Sequence, residues 1–349
     1  MTRTKLVLLF LIASFTSGCN NEKARHPTKE LIHKGIELKV NTILNPTRVT
    51  VFDSMLIVNE SYRTRTDKSI KIFSLNDFKL ISNAVCVGKG PGELSNPAGM
   101  VFDDKNRIIW YSDWGKYKCF KFPIDSLVSN PDYKPTESFV IEKGIMPMLN
   151  AFFHQSGNIG YTSFNLQENL ISFLNTNGKQ LPNIAIPKKI FGDFWKDLGI
   201  SDNPILINYN SDKELIVVAS RFTDDIACID EKGLPVFQIE KLEIKDDPDW
   251  SMSKGSDYMA FYQIDSDERF IYCLYAGGYF LRYDKELNRG VPNYPNRLLV
   301  FNWTGAAKYD IKLDHPLMSF SLDKKRKRII GSTEDFENGL VAYDLSMLY

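Results

Sequence analysis

The chain has 349 residues, 43% hydrophobic and 25% charged, with 43 basic and 43 acidic residues and a formal net charge of +0. That balance excludes a disordered chain, and it lacks the basic footprint of a nucleic-acid binder, so no nucleic-acid partner is expected. Five cysteines without a CxxC or Cys/His spacing exclude a zinc ribbon, and no cofactor motif is present.

Residues 1–18 read as a targeting segment. Arg3 and Lys5 form its charged start, Leu6 to Phe15 its apolar stretch, and Thr16-Ser17-Gly18 a small-residue cleavage region before Cys19. The apolar run is too short to span a bilayer as a helix. This segment resembles a bacterial lipoprotein precursor, whose lipobox ends in Gly-Cys, with Thr16 standing where Leu is usual. The resemblance implies that Cys19 becomes the acylated first residue, holding a soluble domain at a membrane by its lipid alone. Residues 19–34 follow as a polar tether with Pro27, and residues 35–349 as a single domain.

Within that domain the sequence repeats as strands and turns. The last apolar residue of a first strand falls at Phe52, Phe102, Phe153, Tyr209, Ile264 and Leu322, a spacing of 50 to 58 residues. Each is followed by a polar turn and a strand rich in β-branched or aromatic residues: Met55 to Val58, Ile108 to Tyr111, Ile159 to Ser163, Leu215 to Ser220, Phe270 to Tyr275 and Ile329 to Ser332. Third strands end in Asn or Asp with Gly three residues on, at Asn175/Gly178, Asp230/Gly233 and Asn302/Gly305. Asn or Asp can bond its own turn, and Gly accepts the left-handed conformation that closes it. Cys86, Cys119, Cys228 and Cys273 sit inside strand-like runs of different units and read as buried free thiols.

Six units of this kind predict an all-β, six-bladed propeller with four-stranded antiparallel blades. The sixth unit stops after its third strand, and Ile36 to Val40 is a spare alternating strand before the first. Pairing the spare strand with the sixth blade closes the ring and removes two exposed edges. The basic run Lys324 to Arg328 falls between two strands as a hairpin turn.

The best-kept unit, Gly88 to Phe122, resembles the NHL repeat: Gly88, Gly90, Pro91, Gly92, Glu93, Pro97, Asp103, Asn106 and Asp113 fall on its pattern. No Lys-Ser/Thr and no helix follow the glycines, so they read as backbone geometry, positive φ included, and not as a phosphate cradle. With the lipoprotein-like start and six units, the chain looks like the TolB-like six-bladed propeller lipoproteins of Gram-negative bacteria. That resemblance implies a place in the cell envelope, at the outer membrane.

Function must then lie in the loops, since one fold hosts many activities. Loops between second and third strands share a face with the links between blades, and the long ones carry Arg63, Trp114, Arg221, Trp250 and, at the end of a second strand, Tyr275. Arg beside aromatic rings suits a protein, peptide or glycan partner, so these five are the expected binding residues. Four scattered histidines and no nucleophile set favour a binding module over an enzyme. The alternative is a metal-assisted lyase or hydrolase with a cation in the central channel near Asp224 and Glu334.

Overall fold

The computed structural model describes residues 26–40, 42, 45–60, 68–141, 150–162, 170–186, 205–240, 242, 258–286 and 288–349. Six antiparallel sheets follow one another along the chain. Blade one is Pro46–Phe52, Met55–Glu60, Lys68–Ser74 and Leu80–Cys86. Blade two is Pro97–Asp103, Ile108–Asp113, Lys118–Pro123 and Ser138–Val140, with a helix, Ile124–Ser129, before its outer strand. Blade three is Ala151–Phe153, Asn158–Thr162, Leu170–Asn175 and Gln180–Ala185. Blade four is Ile205–Asn210, Leu215–Ser220, Ile226–Asp230 and Pro235–Ile239.

Blade five is Tyr258–Ser266, Phe270–Tyr279, Arg297–Asn302 and Ala307–Leu313, with a small hairpin, Leu281–Asp284 and Arg289–Pro292, inserted on the loop face. Blade six is Ser319–Asp323, Arg328–Ser332, Leu340–Asp344 and, outermost, Ile36–Glu37. Each of the six first-strand markers read from the sequence lies in the first strand of its blade.

The second strands are apolar on both faces because every blade is packed between two others. Leu56, Ile57 and Val58 of blade one are all fully buried. Buried apolar residues gather into six clusters, one in each seam between neighbouring blades. The third-strand turns close as the sequence suggests. Asn175 Oδ1 accepts from the amides of Asn177 and Lys179, Asp230 Oδ1 from Lys232 and Leu234, and Asn302 Oδ1 from Thr304 and Ala306. Gly178, Gly233 and Gly305 stand at φ of +81°, +81° and +84°.

The ring closes through the N-terminal segment. Ile36 and Glu37 pair antiparallel with Ala342 and Val341, and Leu38 N–H donates to the Leu340 carbonyl. Leu38 is then buried with Val49, Leu56 and Leu340 in the seam between blades six and one. The stretch expected to be a tether carries a strand as well: Lys29–His33 runs parallel to Ala307–Leu313 as a fifth strand of blade five. The open edge of that outer strand supplies its backbone partners, which is why so polar a segment is ordered. One short segment thus fastens the last two blades to each other.

The glycine-rich stretch of blade two works differently from the expectation. Only Gly92 of the three has a positive φ, +69°. Gly88 and Gly90 leave room for the Glu93 carboxylate, which would lie 2.2 Å and 2.8 Å from an added Cβ. Glu93 accepts from Gly90 N–H and from Lys134, while Lys116 Nζ donates to the carbonyls of Gly90 and Glu93. Asp113 completes the corner, its carboxylate accepting from the amides of Ser95, Asn96, Gly115 and Lys116. The basic run of blade six is likewise built in, with Arg326 and Arg328 both paired to buried Asp323. Cys119, Cys228 and Cys273 are buried free thiols, and Cys86 is a half-buried one. Burial pushes the Cys228 thiol up to about 12.

Candidate ligand-binding site

Two polar regions stand out, one between the loops of blades four and five and one inside the channel. On the loop face, the turn after Leu215–Ser220 is held by Ser220 Oγ, which accepts from the amides of Phe222 and Thr223. That turn aims Asp224 at blade five. Asp224 Oδ1 accepts from Tyr258 Oη at 2.7 Å and from Tyr275 Oη at 2.9 Å. Burial first, and then the Asp224 carboxylate, raise both phenols far above their ordinary value, so both remain proton donors. The Arg221 carbonyl accepts from Ala260 N–H, which locks the same turn to the first strand of blade five.

Tyr262 lies beyond this cluster, in edge contact with Tyr294 at 6.1 Å. Its phenol is pushed up to about 12, mainly by burial; Tyr294 and Glu334 raise it further and Arg221 opposes them. Arg221 of blade four and Glu334 of blade six therefore both act on one tyrosine of blade five. Loops from three consecutive blades converge there, carrying a cation, two carboxylates and four phenols.

Of the residues expected from sequence, Arg221 and Tyr275 belong to this cluster, and so do Asp224 and Glu334. Tyr275 is only 2% exposed, its ring packed against Phe261. It can act on a ligand only by holding Asp224. Trp114 stands on the loop of blade two, half-buried, with its indole N–H buried and without a hydrogen-bond partner. Arg63, Trp250 and Cys19 lie outside the described residues. Among the described residues, no group of three or more His, Cys, Asp or Glu side chains converges as a metal site.

The second region was not visible in the sequence. The first strands of all six blades enclose a cavity of about 260 Å³ on the axis. Arg48 of blade one, Asp104 of blade two, Asp265 of blade five and Lys324 of blade six line it. Asp265 spends its oxygens on backbone, accepting from Ser266 N–H and from Leu322 N–H. Burial raises the Asp265 and Asp104 carboxyls, and Lys324 opposes the shift in both. Burial lowers the Arg48 guanidinium, with Asp265 and Tyr111 opposing, though an arginine stays cationic throughout the working pH range.

A third arrangement sits on the opposite face. Ser156 Oγ lies 2.7 Å from His154 Nδ1, and His154 Nε2 lies 2.7 Å from Glu231 Oε1, which also accepts from Tyr209 Oη. The Ser156 amide donates to the same His154 nitrogen at 3.2 Å, as in a capped turn. These contacts tie blade three to blade four across 77 residues of chain.

The family model described as TolB-like 6-blade propeller-like matches residues 27–325. The chain belongs to that family. Among solved structures, this TolB-like propeller is similar to a DUF4221-family protein from Bacteroides vulgatus, with a TM-score of 0.63 at 11% identity. That match covers 89% of this chain and 95% of the other. A putative exported protein from Bacteroides fragilis matches with a TM-score of 0.54, also at 11% identity, over 90% of this chain and 99% of its own. At such identities the likeness shows the fold alone. No curated protein matches the chain.

Proposed function

We propose that this protein is a non-enzymatic binding module of the bacterial envelope, held at the outer membrane by acyl chains on Cys19. In this reading it takes a protein, peptide or glycan partner on its loop-rich face. One observation carries the reading: Arg221, Asp224 and Glu334 approach the tyrosines of blade five from the blades on either side of it. Tyrosine and arginine on a rigid scaffold give large contact area at low entropic cost, the pattern of interface anchors. The propeller supports such a face without moving, since each loop is rooted in a packed sheet.

Capture from native envelopes tests the reading. Wild-type protein should retain a partner that Arg221→Ala loses, with the variant's unfolding midpoint unchanged. Equal capture by the two forms removes the loop face as the binding surface. Separately, Cys19→Ala should leave the membrane fraction, and a variant that stays there refutes lipidation as the anchor.

A further inference from the structure

We infer that the central channel is a second binding site, built around Arg48, for a compact molecule bearing a carboxylate or phosphate and several hydroxyl or ammonium donors. The inference goes beyond the loop-face reading and does not depend on it.

The argument starts from Arg48. A guanidinium carries five N–H donors in a fixed fork and normally satisfies them on carboxylates or carbonyls. Other half-buried arginines do so: Arg297 pairs with Asp310, and Arg326 and Arg328 with Asp323. Arg48 lines the channel and has no hydrogen-bond or ion-pair partner among the described residues. Asp265 lies within electrostatic reach of it, but its carboxylate is engaged with the amides of Ser266 and Leu322. Arg48 is half-buried, so water or a ligand in the cavity must meet its donors.

A second donor points the same way. Asn208 accepts from Ser266 Oγ through its Oδ1 at 2.6 Å, and its amide nitrogen, also at the channel wall, has no partner among the described residues. The opposite polarity is present too. Asp104 shares the channel with Lys324, giving an acceptor for hydroxyl or ammonium groups beside a second cation. The wall therefore combines an open anion fork, an amide donor and the Asp104 carboxylate around one cavity.

Size limits the occupant. At about 260 Å³ the cavity falls just below the roughly 300 Å³ at which drug-sized pockets begin, so a peptide or an oligosaccharide is too large for it. A uronic acid, a sugar phosphate or a small amino acid has the right chemistry. Their shared feature is an oxyanion for Arg48, with two parallel N–H···O bonds available.

Calorimetric titration of the full-length protein in detergent decides the matter, using D-glucuronate, glucose 1-phosphate, glycine and inorganic phosphate, with glucose as the neutral control. At least one of the acids should bind in a one-to-one complex, and glucose should not. Arg48→Met should weaken that binding by about tenfold or more, and Arg48→Lys should fall between the two. Binding of none of the acids at millimolar concentration overturns the inference, as does equal binding by wild type and Arg48→Met. Should both variants fail to fold, modification of the wild type with phenylglyoxal, read by mass spectrometry, replaces them. Protection of Arg48 by the bound acid supports the site, and unchanged labelling at saturation refutes it. Arg221→Ala should bind the acid normally, so a failed loop face and a failed channel site give different results.

Discussion

The two arcs of the ring close their seams by different means. From blade four round to blade one, polar side chains of one first strand reach the inner edge of the next. Asn210 Nδ2 donates to the Asp267 carbonyl. Gln263 accepts from Phe320 N–H and donates to the Phe320 carbonyl, while Asp265 accepts from Leu322 N–H two residues on. Ser319 and Ser321 accept from Val49 and Val51 N–H with the same two-residue step. From blade one to blade three no such tie occurs among the described residues. There the contacts are aromatic, with Phe52 and Phe102 rings 5.9 Å apart and Arg107 lying over Phe52. The comparison teaches where the channel is open. An innermost strand has an unpaired edge, and its donors must be met by something. On one arc the protein supplies the partners in the period-two register of a strand. On blade one, where the two arcs meet, Val49 and Val51 are so met while the Arg48 side chain faces the channel.

Deleting residues 26–38 should do the most damage, because it strips the outer strand of blade six and the fifth strand of blade five together. It also exposes the apolar side chains around Leu38 in the seam that precedes the polar-to-aromatic change. The expected loss is several kcal/mol, or roughly 10 °C in the thermal midpoint of a chain this size. A midpoint within about 2 °C of wild type would show that the ring is closed without this segment.

On the polar arc itself, Gln263→Leu removes both bonds to Phe320 and leaves a half-buried amide and carbonyl unmet. A loss of about 2–4 kcal/mol in urea denaturation is expected, since each buried polar group left unsatisfied costs roughly 1–3 kcal/mol. Gln263→Glu keeps the acceptor for Phe320 N–H and should lose less. A cost equal to that of Leu would locate the effect in side-chain shape and not in the bonds.

These ties explain how far the sequence could be read. The second strands were legible because burial on both faces leaves continuous runs such as Leu215-Ile216-Val217-Val218, fully apolar and rich in β-branched residues. Asn175 with Gly178, and its two counterparts, were legible because an Asx turn closed by a left-handed glycine is local chemistry. The closing strand at Ile36 followed from counting strands. The strand at Lys29–His33 did not, because it is held by backbone pairing at an open edge and leaves no alternating apolar mark. Arg48, Asp104, Asp265 and Lys324 come from four blades and meet only because the ring closes. Their neighbours in sequence give no hint of it. On the loop face, Arg221, Asp224 and Tyr275 could be chosen as chemistry-bearing loop residues, yet the burial of Tyr275 beneath Asp224 is a tertiary fact.

The pH dependence of Asp265 sharpens the comparison from inside the polar arc. Burial holds its carboxyl above the ordinary 3.8, with Lys324 and the amides of Leu322 and Ser266 opposing. A folded value above the unfolded one means that the fold prefers the protonated form. That contribution to stability is complete below the unfolded value and is lost as pH rises through the folded value. Asp265→Asn removes the charge and keeps an oxygen for one of the two amides, which bond different oxygens of the carboxylate. It should raise the unfolding midpoint by a few degrees at pH 7, with the advantage shrinking as pH falls toward 4. A lowered midpoint at pH 7 would mean that the negative charge is needed by Arg48 and Lys324 across the channel.

The smallest effect is expected at Arg107, which with the Lys68–Asp132 pair supplies a surface salt bridge between blades one and two. The Arg107 guanidinium bonds Asp125 of the blade-two helix at 3.0 Å and Asp53 of blade one at 2.9 Å. All three side chains face solvent, at 36%, 72% and 61% exposure, so the charges are well screened. Arg107→Ala should therefore cost about 0.5–1 kcal/mol in low salt, and less in about 0.5 M NaCl. Arg107 also stands at φ +56°, a left-handed position that alanine occupies no more easily than arginine. Arg107→Gly separates the two contributions, since it removes the same bridge while relieving the backbone, and should be less costly than alanine. If instead Arg107→Ala costs more than about 2 kcal/mol, as a buried tie would, then the first two blades depend on a polar link after all. The contrast between the arcs would then be one of position, with the bond moved from the inner edge to the outer turn.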